Sequence, residues 1–330
     1  MAIDWQAFCD LVVRHERFVL TSHVRPDADA IGSEIGLAEL LEAQGKTVRI
    51  INPSPITESL RFLDPGGRVQ SIGVDVDLAS ACDTDVHIVL DTSAWAQVEG
   101  VGEVLRSTGA VKVVIDHHQS SDHLADHEFK DTSAEATGRL IVDLAEMAGW
   151  EISPVAATAL FCAIATDTGW FRFSSTNGGT LRAVGRLIDL GAQPDLSYRR
   201  LYERYSLSRV RLTGRLLERI EMACDGRLAW LAARREDFAQ TGAVPADTED
   251  VVNECFRIVG VECAFIAHEQ RDGRVKVSFR SRGDVDVAAV AEGFGGGGHR
   301  QASGALFDGP FDQGLARLID AMSIVLSAKT

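Results

Sequence analysis

Residues 17–44 read RFVLTSHVRPDADAIGSEIGLAELLEAQ, and this stretch decides the fold. The first six residues are a short, β-rich apolar run. From 30 to 44 apolar side chains recur at 31, 35, 37, 38, 40 and 41, a helical period that Gly45 ends. The order is strand, polar loop, helix. Working outward, TVRIIN at 47–52 reads as a further strand. VHIVL at 86–90 and VKVVI at 111–115 are continuous apolar runs of the kind buried on both faces of a parallel sheet. Residues 135–148 and 155–165 predict consecutive helices, the first amphipathic and the second apolar nearly all round, hence buried.

From 177 to about 220 the signals are helical, punctuated by Gly191 and Pro194. Seven arginines fall between 199 and 219. They read first as a solvated helix face laced with Glu203, Glu218 and Glu221, and alternatively as a phosphate-facing surface. Beyond 225 the pattern changes to strands at 228–233, 263–269 and 275–280, with a helix near 248–258. The expected architecture is α/β. It comprises a mostly parallel, Rossmann-like domain over 1–185, a helical linker over 186–222, and a smaller mixed α/β domain over 223–330.

Composition agrees with this division, since 330 residues exceed what one hydrophobic core usually serves. Hydrophobic residues at 45% and charged residues at 25% exclude a disordered or fibrous chain. A formal charge of -15 repels a long polyanion, so long duplex nucleic acid is not an expected partner. The first residues lack a basic-then-apolar export signal, and no apolar run is long enough to span a bilayer, so a membrane is not expected either. Six cysteines form no CxxC pair, which suits reduced thiols and a cytoplasmic location.

Four polar clusters stand where strands or a helix end: His23, Asp27 and Asp29 in HVRPDAD, Asp91 in LDTS, Asp116, His117 and His118 in IDHH, and Asp167 in TDTGWFR. Open parallel sheets bind ligands outside the carboxyl ends of their strands, so separate segments deliver acids and imidazoles to one rim. Singly, each cluster has a structural explanation: Asp27 and Asp29 as helix caps, Asp91 as a turn residue, Asp167 as a helix end. Together they point to a site. Five aspartates in one crevice repel one another unless cations intervene, and carboxylates with imidazoles and no cysteine suit two Mn²⁺ or Mg²⁺ ions. Two such ions support in-line attack at phosphorus, so phosphoester hydrolysis is the expected chemistry.

Downstream, Gly296, Gly297 and Gly298 before His299 offer backbone that can approach an anion closely, and Arg280, Ser281 and Arg282 supply further anion donors. Arg172 either pairs with an acid or reaches a phosphate. Trp170, Phe171 and Phe173 either pack in the core or stack on a base.

HVRPDADAIGS, LDTS, IDHH and TDTGWFRFSST resemble, in type and order, the four motifs of the DHH phosphoesterase family. FRSRGDVDVAAVAEGFGGGGHRQASGA resembles the glycine-rich signature of the DHH-associated C-terminal domain, so the likeness covers nearly the whole chain, and its length resembles the stand-alone nanoRNase branch. The resemblance implies that His23 and Asp27 hold one Mn²⁺, that Asp29, His117 and Asp167 hold the other, and that Asp91 bridges both. It implies that Asp116 orients an imidazole or contributes to metal binding, and that His118 lies beside the scissile phosphate as a hydrogen-bond donor or proton source. Mg²⁺ and Co²⁺ are the substitutes for Mn²⁺. The second domain is implied to grip the nucleotide, so that the cleft between domains measures substrate length. The implied substrates are short RNA or DNA oligonucleotides and small nucleotides such as 3'-phosphoadenosine-5'-phosphate (pAp), with cyclic di-AMP as the rival. A non-catalytic nucleotide sensor is disfavoured by the completeness of the ligand set. A homodimer is compatible with the sequence.

Overall fold

The computed structural model describes residues 3–327, and two compact units divide the chain between Arg204 and Tyr205. The first unit is built on six parallel strands: β1 (Arg17–Thr21), β2 (Thr47–Asn52), β3 (Val69–Ser71), β4 (Val86–Leu90), β5 (Val111–Asp116) and β6 (His127–Lys130). Their order is β3-β2-β1-β4-β5-β6, the doubly wound arrangement expected for a Rossmann-like domain. The chain moves outward from β1 through β2 and β3, then returns to the other side of β1 with β4. The crevice at the carboxyl ends of β1 and β4 is therefore where the order reverses.

The helices are α1 (Trp5–Arg14), α2 (Ala28–Ala43), α3 (Leu78–Cys82), α4 (Val101–Ser107), α5 (Thr137–Ala148), α6 (Pro154–Asp167), α7 (Gly178–Asp189) and α8 (Pro194–Tyr202). Alternate strand residues serve opposite faces. Phe18, Leu20, Ile88, Leu90, Val113 and Ile115 pack with α2, α5 and α6, whereas Val19, Ile51, Val89 and Val114 pack with Val101, Val104 and Leu105 of α4.

Helix α2 is buried on nearly every side rather than along one stripe, because small residues let its neighbours approach. A side chain at Gly36 would meet Leu160 of α6 at 2.5 Å. One at Gly32 would meet the Ala159 carbonyl oxygen and the Ala163 methyl, and one at Gly138 of α5 would meet that same methyl at 2.5 Å. This three-helix contact sets where Asp29 on α2 and Asp167 on α6 stand.

The second unit contains α9 (Leu207–Glu218), β7 (Glu221–Ala223), β8 (Leu228–Ala233), α10 (Arg235–Thr241), β9 (Cys263–Glu269), β10 (Arg274–Ser281), α11 (Val287–Glu292), β11 (Gly297–His299), β12 (Ala302–Asp308) and α12 (Phe311–Ser327). Its sheet runs β11-β12-β10-β9-β8-β7 and is mixed: β8 and β9 are parallel and the other pairs antiparallel. The helix expected near 248–258 is instead two 3₁₀ segments, Pro245–Thr248 and Val251–Arg257. Asp250 between them has φ +67°, which no α-helix tolerates, and Val251 and Val252 are β-branched.

Within residues 186–222, α8 packs on the first unit through Ser197, Tyr198 and Tyr202, while Leu212 and Leu216 of α9 enter a core of the second unit. The arginines there are largely structural. Arg215 and Arg219 both pair with buried Asp237, at 2.6 and 2.7 Å, Arg199 pairs with Asp195, and Arg209 lies over the Tyr205 ring. No helix among the described residues is long and apolar enough to cross a membrane.

Candidate metal centre and catalytic residues

The loop after β1 carries His23 and ends in Asp27, the N-cap of α2, whose Oδ1 accepts the N–H groups of Asp29 (2.9 Å) and Ala30 (3.1 Å). The cap role and a place at the rim thus coexist in one carboxylate, since Oδ1 of Asp27 also lies 3.9 Å from His23 Nε2. Asp29, the second residue of the helix, is buried and in turn caps α5. Its two oxygens accept the N–H groups of Thr137 and Gly138, each at 2.8 Å, and α5 has no capping side chain of its own.

Asp91 follows β4 with φ +61°, a left-handed conformation that costs energy for a residue with a Cβ and that clusters at functional sites. The turn aims its carboxylate between two imidazoles: Oδ2 is 3.5 Å from His23 Nε2 and Oδ1 is 3.6 Å from His117 Nε2, while Thr137 Oγ1 donates to Oδ1 at 2.9 Å. Both rings are oriented from behind. His23 Nδ1 is 2.9 Å from the Val24 carbonyl and His117 Nδ1 is 3.2 Å from the Ala134 carbonyl, so each Nδ1–H donates to backbone and each Nε2 is left as an acceptor facing the carboxylates. His117 Nε2 also stands 3.8 Å from Asp29 and 3.6 Å from Asp167.

Potential ligand atoms fall into two groups within 4.8 Å, His23, Asp27 and Asp91, and Asp29, His117 and Asp167, and His118 forms a third with Asp91 and His117. Among the described residues, no lysine or arginine is ion-paired with any of these four aspartates. Burial foremost, with repulsion from neighbouring carboxylates, pushes the proton affinities of Asp29, Asp91 and Asp167 up. Asp91 is held well above the ordinary carboxylate range by burial and by Asp29 and Asp27. Asp167 is pushed up to about 6 by burial and by Asp29. Four clustered acids, two of them buried, with no lysine or arginine paired to them and two imidazole Nε2 atoms among them, are an oxygen-rich donor set that fits divalent metal ions.

Asp116 is in none of these groups. One of its oxygens accepts His118 Nδ1–H at 2.8 Å and the His118 backbone N–H at 3.0 Å. The other accepts from Ser93 Oγ and, at 2.9 Å, from Lys130 Nζ. Burial alone would raise its pKa, but these hydrogen bonds outweigh it and hold Asp116 far below the ordinary range; the same bond to Asp116 raises the pKa of His118. His118 is half-exposed, with its Nδ1 held by Asp116 and 3.7 Å from Asp91 Oδ1.

Lys130, Ser93 and Thr137 are missed by the sequence reading. Lys130 lies on β6, whose HEFK sequence holds one apolar residue, yet its register partner on β5 is Asp116 itself. A lysine two residues from the end of a polar stretch carries no signal until strand pairing supplies one. Arg172 is exposed and its Nε donates to the Gly169 carbonyl at 2.6 Å.

The second-unit residues are placed less uniformly. Arg280 and His299 flank Ala302 in one row across β10, β12 and β11, so the three point to one face of the sheet. Ser281, the next residue along β10, faces the core, and its hydroxyl donates to the Val285 carbonyl at 2.7 Å. The guanidinium of Arg282 lies 4.7 Å from the centre of the Phe256 ring. Gly297, Gly298 and His299 are an extended edge strand rather than a loop. The need for glycine arises from strand pairing: a Cβ at Gly296 would strike the Gly304 carbonyl, and one at Gly298, φ +142°, would lie 2.7 Å from the Ala302 carbonyl oxygen.

Residues 17–164 match the DHH family N-terminal domain and residues 232–327 the DHHA1 domain. A protein of Thermus thermophilus named bifunctional oligoribonuclease and PAP phosphatase NrnA is 32% identical, over 92% of this chain and 88% of its own. The cyclic-di-AMP phosphodiesterase PdeA of Listeria monocytogenes is 25% identical over 98% of this chain and half of its own. A crystal structure of an exopolyphosphatase-related protein from Bacteroides fragilis superposes with a TM-score of 0.86 at 27% identity, covering 96% of this chain and 94% of that one.

Proposed function

The chain belongs to the DHH family and is a phosphoesterase, a hydrolase of phosphoric ester bonds, and on that premise we propose that it cleaves short oligoribonucleotides to 5'-mononucleotides and dephosphorylates pAp to AMP. Both reactions break the same bond, that between phosphorus and the 3' oxygen of a ribose. One site and one geometry therefore serve a diester and a monoester.

The observation that carries the reading is the division of the Asp91 carboxylate between His23 and His117, one oxygen to each at 3.5 and 3.6 Å. With Asp91 between them, His23 and Asp27 would hold one cation, and Asp29, His117 and Asp167 would hold the other. Mn²⁺ is the expected ion at both positions, with Mg²⁺ or Co²⁺ as substitutes. Bound there, a cation pair would make a nucleophile of water at neutral pH and offset the charge of the phosphoryl group.

The chain's own residues do the rest. Thr137 and the α5 N-terminus hold Asp91 and Asp29 in place before substrate arrives, so little reorganisation is needed. Asp116, kept ionised by its bonds to His118, Ser93 and Lys130, raises the proton affinity of the His118 imidazole and holds its Nδ1. As water attacks phosphorus and the 3' oxygen departs, His118 Nε2 gives that oxygen its proton. In the second unit, Arg280, Arg282 and His299, with the Gly296 to Gly298 segment, supply anion affinity for the rest of the substrate, and Ser281 fixes the turn after Arg280.

The test is turnover of pApA, pAp, short RNA and cyclic di-AMP by one preparation with Mn²⁺. Preference for the linear substrates is expected, and preference for the cyclic one would replace this reading by that of a cyclic-dinucleotide phosphodiesterase. Asp91→Ala and His117→Ala should remain folded and lose metal-dependent hydrolysis; activity retained in either would overturn the site.

A further inference from the structure

The segment after Asp167 is unusual in its backbone. Gly169, Trp170 and Phe171 have φ of +56°, +57° and +63°, three successive left-handed residues of which two carry large side chains. For Trp170 and Phe171, which carry a Cβ, this conformation costs about 1–3 kcal/mol each and persists only where surrounding contacts impose it. Here they do. The Trp170 ring packs edge-on against Phe161, Tyr198 and Tyr202, with centroids 5.8, 4.9 and 6.0 Å away, and Phe171 also leans on Phe161. The turn is closed by the buried Thr168, whose carbonyl accepts the N–H groups of Arg172 and Phe173 at 3.0 and 3.1 Å.

The consequence is that two aromatics of the motif are anchored and the third is turned outward. Phe173 is 54% exposed, and the far end of its ring rests on Gly169, so close that a Cβ there would be 2.5 Å from Cζ. Arg172 beside it is exposed, with its Nε tethered to the Gly169 carbonyl. A strained turn that begins two residues after Asp167 thus carries an exposed guanidinium and an exposed aromatic ring, five and six residues beyond that candidate metal ligand. A single exposed phenylalanine is ordinary. One held outward by a hydrogen-bonded left-handed turn, against a glycine that alone leaves it room, is a built feature.

Resting on the reading of the chain as a nucleotide phosphoesterase, we infer that Phe173 is a stacking platform for the nucleobase next to the scissile phosphate, with Arg172 oriented toward that nucleotide's phosphate. Every base has a π-face, so the platform tolerates all four bases while rejecting phosphoesters that lack one.

The test compares pApA with the same dinucleotide lacking the base at the cleaved position, using wild-type protein, Phe173→Ala and Phe173→Trp with Mn²⁺. The alanine variant should raise KM for pApA roughly ten-fold or more, with an effect at least several-fold smaller on the abasic substrate. Tryptophan should restore the wild-type preference, and a 2-aminopurine dinucleotide should be quenched on binding by wild type and Trp variant but not by the alanine variant. Equal effects on both substrates, undiminished quenching in the alanine variant, or a changed oligomeric state in sedimentation as its sole effect would overturn the platform while leaving the phosphoesterase reading intact. If the wild-type protein cleaves neither dinucleotide, that reading falls and the inference with it.

Discussion

Replacing Asp167 by Asn should stabilise the metal-free protein while destroying its response to metal. The Asp29, His117 and Asp167 ligand atoms lie within 4.8 Å of one another, and the two carboxylates have no lysine or arginine against them among the described residues. Two unit charges at that distance repel by about 3.5 kcal/mol at an effective dielectric of 20. Asp167 is over one-third exposed, so water and salt screen this to about 1–2 kcal/mol. For a folding unit of this size each kcal/mol moves Tm by about 2–4 °C, which gives a gain of about 2–8 °C for Asp167→Asn in chelator at pH 8.

The pH dependence follows from the raised affinity for protons. Burial, and then the charge of Asp29, put the Asp167 carboxyl at about 6, against 3.8 in an open chain. The folded protein therefore keeps a proton that the unfolded chain releases, and stability falls as pH rises through that window, the penalty being complete above about 6. At pH 5, about midway through that window, the advantage of Asn should fall to roughly half its value at pH 8. Divalent metal should reverse the ranking, because ligand binding to the folded state stabilises wild type and the variant has lost one donor. Thermal unfolding at pH 5 and 8, with chelator and with Mn²⁺, checks this. A lower Tm for Asp167→Asn in chelator at pH 8, or an equal gain at both pH values, would refute the account of an acidic cluster strained by its own charge.

Glu34 of α2 is wholly buried, accepts from Asn52 Nδ2 at 2.9 Å and is pushed up to about 8 by burial, so wild-type stability should decline between pH 4.5 and 8; the Tm gap between Glu34→Gln and wild type should open over that range, and a constant gap would count against it. Gly138→Ala forces a methyl against Ala163 and to 3.3 Å from Asp29 Oδ1, and should cost about 1–3 kcal/mol in denaturant unfolding together with weaker Mn²⁺ binding by calorimetry. Lys130→Met leaves buried Asp116 short of a cation and should cost about 3 kcal/mol in denaturant unfolding and lower kcat, with Lys130→Arg recovering part of both.

The first sheet is legible because parallel strands buried on both faces must be apolar throughout, which is how 86–90 and 111–115 announce themselves. The metal-centre candidates are legible because they follow such runs or, for Asp167, end an apolar helix, at the rim where ligands bind. Strands β3, β6 and β12 are not. They are short, polar or glycine-bearing, and they form because a neighbour presents unpaired N–H and C=O groups, which no local pattern records. The Gly296 to Gly298 run reads as a loop for the same reason: the partner that demands glycine is Gly304, on another strand.

By itself the sequence determined the order of elements, the phosphoesterase motifs, and which acids and imidazoles gather at the rim. These follow from periodicity and from residue type at strand ends. Only the tertiary structure decided what each group faces. It set Asp29 on the N–H groups of residues 137 and 138, put Lys130 opposite Asp116, turned Ser281 into the core and Phe173 out of it, and divided Asp91 between two histidines. Those pairings depend on strand order, on register, and on glycines that let three helices meet. They are properties of how distant segments pack, and no stretch of chain read alone contains them.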